Sequence, residues 1–315
     1  MWLSFARLIL LYGKVILMNK PSVFLLGVQK SGTTAIAGML AEHSEIFVPS
    51  VKETYFFIDE SLNSRGESWY LGEYYSRNSV GNARFLCDAT PFYLCSEEAM
   101  KRVASFSDPD ARFIVCLRDP VKRAYSAYWH QRRLGNETAD FKVALDIEAD
   151  RIAEAKASGG RWWRHAYAEV GLYGKHLELA FSIFGRERIL VLNENDLADS
   201  ALLKSKLHSF IGLTKEFGAP PISRSNKSVM PRSRLMQGLV NGQNPLKRTI
   251  RFFLPRQIRS ALGKKILKAN VKAFDYPPMA DDAREFLNKI FADDLVCLRA
   301  LGVDVPSKWT EQRDL

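Results

Sequence analysis

Short apolar runs alternate with longer stretches of helical periodicity along most of the chain. Ser22 to Val28 (SVFLLGV) is apolar and β-branched and ends in a glycine-containing loop, and a helical pattern follows from Thr33 through Leu40. Arg84 to Asp88, Arg112 to Leu117 (RFIVCL) and Arg188 to Leu192 (RILVL) are further buried-strand runs, and RFIVCL passes at once into the helix-like VKRAYSAYWHQRR. Helical periodicity fills Ala139 to Ala157, Arg164 to Phe184, Leu202 to Ile211 and Asp281 to Leu301. Strands separated by helices imply parallel pairing, helices on both faces, and ligands at the carboxyl ends of the strands. The pattern therefore predicts an α/β fold, a parallel sheet with a phosphate-binding loop after its first strand. Gly218 to Asn244, with Pro220, Pro221 and Pro231, reads as a long irregular segment.

Length changes this picture little: 315 residues make one large α/β domain or two small ones. With 47% apolar and 25% charged residues the chain is an ordinary globular protein, which excludes collagen, coiled coil and wholesale disorder. Cys87, Cys95, Cys116 and Cys297 have no metal-ligand spacing and are too few for a disulfide scaffold, so they read as reduced thiols in a cytoplasmic protein. Charge changes the picture more. Of the net +10, the stretch from Phe217 to Phe274 holds 13 Lys and Arg and no Asp or Glu, which leaves the remainder slightly acidic. A block of this kind needs a solvated face or an anionic partner, such as an acidic glycan or a membrane surface that would hold the protein peripherally. No recognisable nucleic-acid motif accompanies it. Residues 1–20 are apolar but broken by Arg7 and Lys14, too short a run to span a bilayer. They read as an amphipathic surface helix or as an extension ahead of Met18, and residues 21–310 as one domain containing the basic segment 217–274.

Candidate chemistry begins in the loop Gly27-Val-Gln-Lys30-Ser31-Gly32-Thr33-Thr34, between strand and helix, where backbone N–H groups and a helix N-terminus make an anion site. Both glycines keep the spacing of the nucleoside-triphosphate pattern GxxxxGK[ST], but Thr33 occupies the lysine position and the lysine has moved into the loop as Lys30. Lys30 would reach the 5′ end of a bound nucleotide, and the hydroxyls of Ser31, Thr33 and Thr34 would donate to its oxygens. The strand RFIVCL ends first in Arg118, which suits a phosphate, where a strand holding Mg²⁺ would end in Asp. Ser126 follows eight residues on, two turns into the helix that Pro120 starts.

QKSGTT after a first strand and LRDPVKRAYSAY after a later one resemble the two cofactor motifs of sulfotransferases that use 3′-phosphoadenosine 5′-phosphosulfate (PAPS). Lys52-Glu53-Thr-Tyr-Phe56-Phe57 is similar to the KExxFF segment of the heparan-sulfate-type carbohydrate branch, and Asp88-Ala-Thr90-Pro91-Phe-Tyr93 to its (E/D)xTPxY segment. Gly171-Leu-Tyr173-Gly-Lys-His176-Leu177, the run RILVLNENDL and the tail closing at Trp309 resemble further stretches, so the likeness extends from Ser22 to Trp309. It implies the sulfotransferase fold, with Lys30, Gly32, Thr33 and Thr34 on the 5′-phosphosulfate, Arg118 and Ser126 on the 3′-phosphate, and Glu53 as the base on the acceptor. It also implies a carbohydrate or glycolipid acceptor, adenosine 3′,5′-bisphosphate (PAP) as product, and no metal. Two features depart from that branch: Ala89 stands where its members often have lysine, and no disulfide-flanked KGR loop is found. Lys227 or Arg232, in roughly the corresponding place, would substitute as the 3′-phosphate clamp.

Two other functions fit parts of the sequence. A P-loop kinase or NTPase would use the same loop with Mg²⁺, against which the displaced lysine and the Arg-terminated strand speak. A non-catalytic glycan- or membrane-binding protein would use the basic segment.

Overall fold

The computed structural model describes residues 20–218, 229–231, 271–273 and 276–310, and these fall into two compact units. The first holds the residues up to Arg118, Tyr173–Pro220 and Leu295–Gln312; the second holds Asp119–Leu172 and Pro221–Asp294. In the first unit β1 (Val23–Gly27) leads to α1 (Thr33–Ala41) and β2 (Ile46–Phe47). Three short helices follow, α2 (Glu60–Asn63), α3 (Glu67–Tyr74) and α4 (Arg77–Val80), then β3 (Phe85–Asp88), α5 (Glu97–Phe106) and β4 (Arg112–Cys116).

After the second unit's first segment, with α6 (Pro120–Leu134), α7 (Phe141–Asp146) and α8 (Glu148–Ala157), the chain returns through α9 (Tyr173–Phe184), β5 (Ile189–Leu192), α10 (Glu194–Ala198) and α11 (Ser200–Ile211). The short antiparallel pair β6 (Val229–Pro231) and β7 (Val271–Ala273) belongs to the second unit, and α12 (Asp281–Ala300) follows.

All five strands of the main sheet run parallel in the order β2-β3-β1-β4-β5. The four runs of β-branched and apolar residues expected to be strands are β1, β3, β4 and β5. Their alternation fills both faces. Val23 and Leu25 of β1 join Ile36 and Leu40 of α1 and Leu203 and Leu207 of α11 on one side. Phe24 faces the other way, 5.7 Å from the Phe113 ring, which in turn meets Phe184 of α9 at 4.0 Å. The chain runs from β1 to β3 on one side and then crosses to β4 on the other, so the carboxyl end of β1 is a topological switch point. Among the described residues no helix is long and apolar enough to cross a membrane.

Two expected helices are corrected. Ala139 to Ala157 is interrupted at Ile147 (φ −98°, ψ 8°) into α7 and α8. Arg164 to Phe184 is helical only from Tyr173; before it lie two 3₁₀ turns, Trp162–His165 and Glu169–Gly171. The cause is the buried Glu148 carboxylate, which accepts the N–H groups of Tyr167 (2.8 Å), Ala168 (2.9 Å) and Glu169 (2.8 Å) and so takes donors that a helix would send four residues back. Buried Arg123 donates to the Tyr167 carbonyl, and Gly171 lies against Phe291 so closely that a Cβ would come within 2.7 Å of the ring. Trp163 is buried, and the Lys156 ammonium lies over Trp162, 4.6 Å from the ring centre. Most of the expected irregular segment 218–244 and of the basic segment 217–274, and all of residues 1–19, lie outside the described residues.

At the β2 edge, Glu45 accepts the Thr214 N–H (2.8 Å), the Thr214 hydroxyl (2.8 Å) and the Lys215 N–H (3.0 Å), with Arg84 3.5 Å away. These donors, the Lys215 N–H foremost, pull its carboxyl from 4.5 to about 2. A group whose folded pKa is lowered stabilises the fold above its unfolded pKa and loses that contribution as the pH falls through the folded one. The Glu45 contribution is therefore present above pH 4.5 and lost on the way down to about pH 2. Urea unfolding across this window is expected to show a smaller fall in stability for Glu45→Gln than for the wild type; identical curves would remove this clamp from the acid response.

Candidate active site

Four segments at the carboxyl ends of β1, β2, β3 and β4 form the candidate site in the first unit. Between β1 and α1 the chain turns with Lys30 (φ 72°) and Gly32 (φ 93°) both left-handed. The Ser31 N–H closes the turn on the Val28 carbonyl at 3.1 Å, and the first bonds of α1 run from Ala35 (2.9 Å) and Ile36 (3.2 Å) to the Gly32 carbonyl. Thr33 and Thr34 therefore sit in the opening turn, where N–H groups precede the helical ladder and attract anions. Gly32 is required twice, by its positive φ and by its neighbour: a Cβ there would lie 2.2 Å from Leu197 Cδ2 of α10. The Ser31 hydroxyl is buried, and its Oγ has no hydrogen-bond partner among the described residues. An oxyanion seated in the turn would satisfy it, so the loop fits a phosphate-bearing ligand on its own geometry.

Arg118 follows β4 and is held beside this loop. Its Nη1 donates to the Lys30 carbonyl at 3.4 Å, and its own carbonyl accepts the Tyr173 hydroxyl at 2.9 Å. The structure thus brings Lys30, Ser31, Gly32, Thr33, Thr34 and Arg118 together. Ser126 is placed in the second unit, buried in α6, whose first turn is capped by Asp119 accepting from Val121 (2.9 Å) and Lys122 (3.2 Å). Its place in a 3′-phosphate site rests on the resemblance. Lys227 and Arg232 lie outside the described residues.

Glu53 comes from the segment that follows β2. Its Oε1 accepts from Lys52 Nζ at 3.0 Å and its Oε2 from the Tyr55 hydroxyl, so both oxygens are held. Lys52 Nζ also reaches Thr34 Oγ1 at 3.4 Å, which ties the carboxylate to the phosphate-binding turn. Tyr55 has φ 55°, an uncommon conformation for an aromatic residue, and its N–H donates to Thr90 Oγ1 at 3.3 Å.

Beneath this segment lies Asp88, fully buried at the end of β3. Its Oδ2 accepts from Thr54 Oγ1 (2.7 Å), the Tyr70 hydroxyl (2.6 Å) and the Tyr93 hydroxyl (3.1 Å), and its Oδ1 from Thr90 Oγ1 (2.7 Å). Burial pushes the Asp88 carboxyl above the ordinary carboxylate range, and the four hydroxyls pull against that rise. Thr90 Oγ1 in turn accepts the Thr54 N–H at 3.0 Å. Phe56 and Phe57, next along the chain, are buried against Tyr70 at 4.4 and 5.3 Å. One carboxylate thus anchors Thr54, and Thr54 sits between Glu53 and Tyr55.

The family described as Sulfotransferase domain matches residues 20–201. This chain belongs to the sulfotransferase family. It is 27% identical over 309 residues to bifunctional heparan sulfate N-deacetylase/N-sulfotransferase 4 of Mus musculus, and 29% identical over 302 residues to the corresponding protein 3 of Homo sapiens. In each case 93% of this chain is covered but only 31% of the relative, so the chain spans about a third of their length. A solved sulfotransferase from Alicyclobacillus acidocaldarius superposes with a TM-score of 0.63 at 25% identity, covering 92% of this chain and 99% of that one.

Within the sulfotransferase the motif residues acquire physical reasons. Asp88, Thr90 and Tyr93 of the (E/D)xTPxY segment are all members of the one buried network, and Thr54 joins it from KExxFF. The sequence places Lys52 and Tyr55 in the cleft-lining stretch Lys52 to Asp59 but assigns neither an individual role; their contacts with Glu53 and Thr34 supply one. Tyr70 carried no signal beyond being aromatic, since its role depends on α3 folding back over β3. Asp88→Ala is expected to be severe, because each buried hydroxyl left without an acceptor costs about 1–3 kcal/mol against a total stability of about 5–15 kcal/mol. Thr54→Val should cost only about 1–3 kcal/mol and leave a cooperative transition. Urea unfolding reads both, and a wild-type midpoint for Asp88→Ala would show that the network does not anchor the site.

Proposed function

We propose that this sulfotransferase domain transfers a sulfuryl group from PAPS to a hydroxyl or amine of a carbohydrate acceptor. One observation carries the reading: a turn built for an oxyanion, with Lys30 and the unsatisfied Ser31 hydroxyl, is joined through Lys52 to a carboxylate held on both oxygens. The opening N–H groups of α1, the hydroxyls of Ser31, Thr33 and Thr34, and the Lys30 ammonium would hold the 5′-phosphosulfate. Arg118, fixed beside Lys30, would take the 3′-phosphate from the β4 side. PAPS supplies the sulfuryl group and departs as PAP. Sulfuryl transfer, like phosphoryl transfer, spreads charge over equatorial oxygens, so cations and N–H groups fixed in advance are the main means of catalysis.

Glu53 removes the proton from the acceptor hydroxyl or amine. With Lys52 donating to one oxygen and Tyr55 to the other, the carboxylate is held in a fixed orientation for the acceptor. A glycan acceptor is supported by the relatives named for heparan sulfate N-sulfotransfer.

Thermal unfolding with PAP, with ADP, and with ATP plus Mg²⁺ tests the donor. A ligand at 100 times its Kd adds about 2.7 kcal/mol, a rise of a few degrees in Tm. PAP alone should give that rise, and Lys30→Ala should lose it. A rise only with ATP and Mg²⁺ would indicate a kinase or NTPase, and none with any nucleotide a binding protein. Glu53→Gln should retain the PAP response while turnover falls about 10²- to 10⁴-fold; wild-type turnover would remove Glu53 from the mechanism.

A further inference from the structure

Lys52 touches both halves of the candidate site. Its Nζ lies 3.4 Å from Thr34 Oγ1, in the turn that would hold the donor, and 3.0 Å from Glu53 Oε1, which would face the acceptor. Its side chain is 22% exposed, so the ammonium is partly withdrawn from water and screened less than a surface charge. An ammonium has three donor hydrogens, and these two contacts use two of them.

Holding Glu53 in place does not by itself call for this lysine. Tyr55 already holds the other carboxylate oxygen, and Thr54, between the two, is fastened to Asp88 and Thr90. Nor would a surface ion pair between neighbours in sequence reach back to the phosphate-binding turn. A group in transfer between an oxygen seated at Thr34 and a nucleophile at Glu53 must cross the interval that this one ammonium spans.

We propose that Lys52 is a second catalytic cation, which donates to the equatorial oxygens of the sulfuryl group as it passes from donor to acceptor. The proposal rests on the sulfotransferase reading above. In the step, the bond between sulfur and the acceptor oxygen or nitrogen forms as the bond between sulfur and the leaving phosphate oxygen breaks. The acceptor's proton goes to Glu53, and the leaving phosphate keeps the electron pair of the broken bond. Lys52 keeps its proton throughout and supplies charge and hydrogen bonds alone. Lys30, on the donor side of the turn, would serve the leaving phosphate, so the two lysines act on different oxygens.

The test compares the full chain with Lys52→Met and Lys52→Arg. Calorimetric titration with PAPS and with PAP, without acceptor, separates the sulfuryl contact from the rest of the nucleotide. Lys52→Met should weaken PAPS several-fold more than PAP; equal effects on the two ligands would overturn the contact. With de-N-sulfated heparin as the acceptor probe, kcat of Lys52→Met should fall about 10²- to 10³-fold, the scale of losing one preorganised charge donor, with KM for the acceptor little changed. Lys52→Arg, which keeps the charge, should recover much of that loss.

The Glu53→Gln, Lys52→Met double variant decides between a cation acting on the sulfuryl group and one that only steadies Glu53. Multiplied losses support the proposal, whereas a double variant no slower than Glu53→Gln alone would overturn it. Failure of the wild type to bind PAP would instead sink the sulfotransferase reading itself, so the two failures are distinct.

Discussion

A single buried carboxylate fixes the geometry on which the site depends. Asp88 is removed from water at the end of β3, and it is tolerable there only because four hydroxyls converge on its two oxygens. Those hydroxyls come from three separate stretches of chain: the segment after β2, α3, and the Thr90 to Tyr93 turn. The requirement to satisfy one charge therefore assembles all three, and Glu53 and Tyr55 are placed as neighbours of Thr54. The aromatic packing of Phe56, Phe57 and Tyr70 around it supplies the apolar wall that keeps the network dry. Polar network and core here are one construction: the network is specified by partners that a hydrophobic core cannot supply, and the core excludes the water that would compete for them.

How much was legible in the sequence follows from the range of the forces involved. The four long strands could be read because each is a local run of apolar, often β-branched residues buried on both faces. β2, of two residues, has no such run and exists because Ile46 and Phe47 pair with Phe85 and Leu86. The helix expected from Arg164 failed because the N–H groups of Tyr167, Ala168 and Glu169 go to Glu148, 19 to 21 positions away along the chain. Periodicity records which residues prefer a helix; it does not record a distant side chain that competes for the backbone.

The candidate site divides in the same way. The turn around Lys30 and Gly32 was visible because glycine spacing between a strand and a helix is itself a local property. Glu53 was found only through resemblance, since a lone glutamate in a loop is ordinarily solvated. Lys52 stands in that motif as one residue of a local string, and its reach to Thr34 is a tertiary fact. The orphaned Ser31 hydroxyl is likewise invisible until the surrounding surface is built.

The glycine of the phosphate-binding turn is backed by Leu197, and the helix that carries Leu197 is held in turn by Asp304 and Trp309. Asn193 and Asp196 cap α10 reciprocally, Trp309 donates to Glu194 at 2.9 Å, and Asn193 reaches the Asp304 carboxylate at 2.8 Å. During synthesis, then, this strand and turn precede the wall near position 197 and the brace near position 309. A nascent chain has the sequence of the donor loop long before it has the loop's shape. Competence for an anion therefore depends on segments synthesised well after the loop itself.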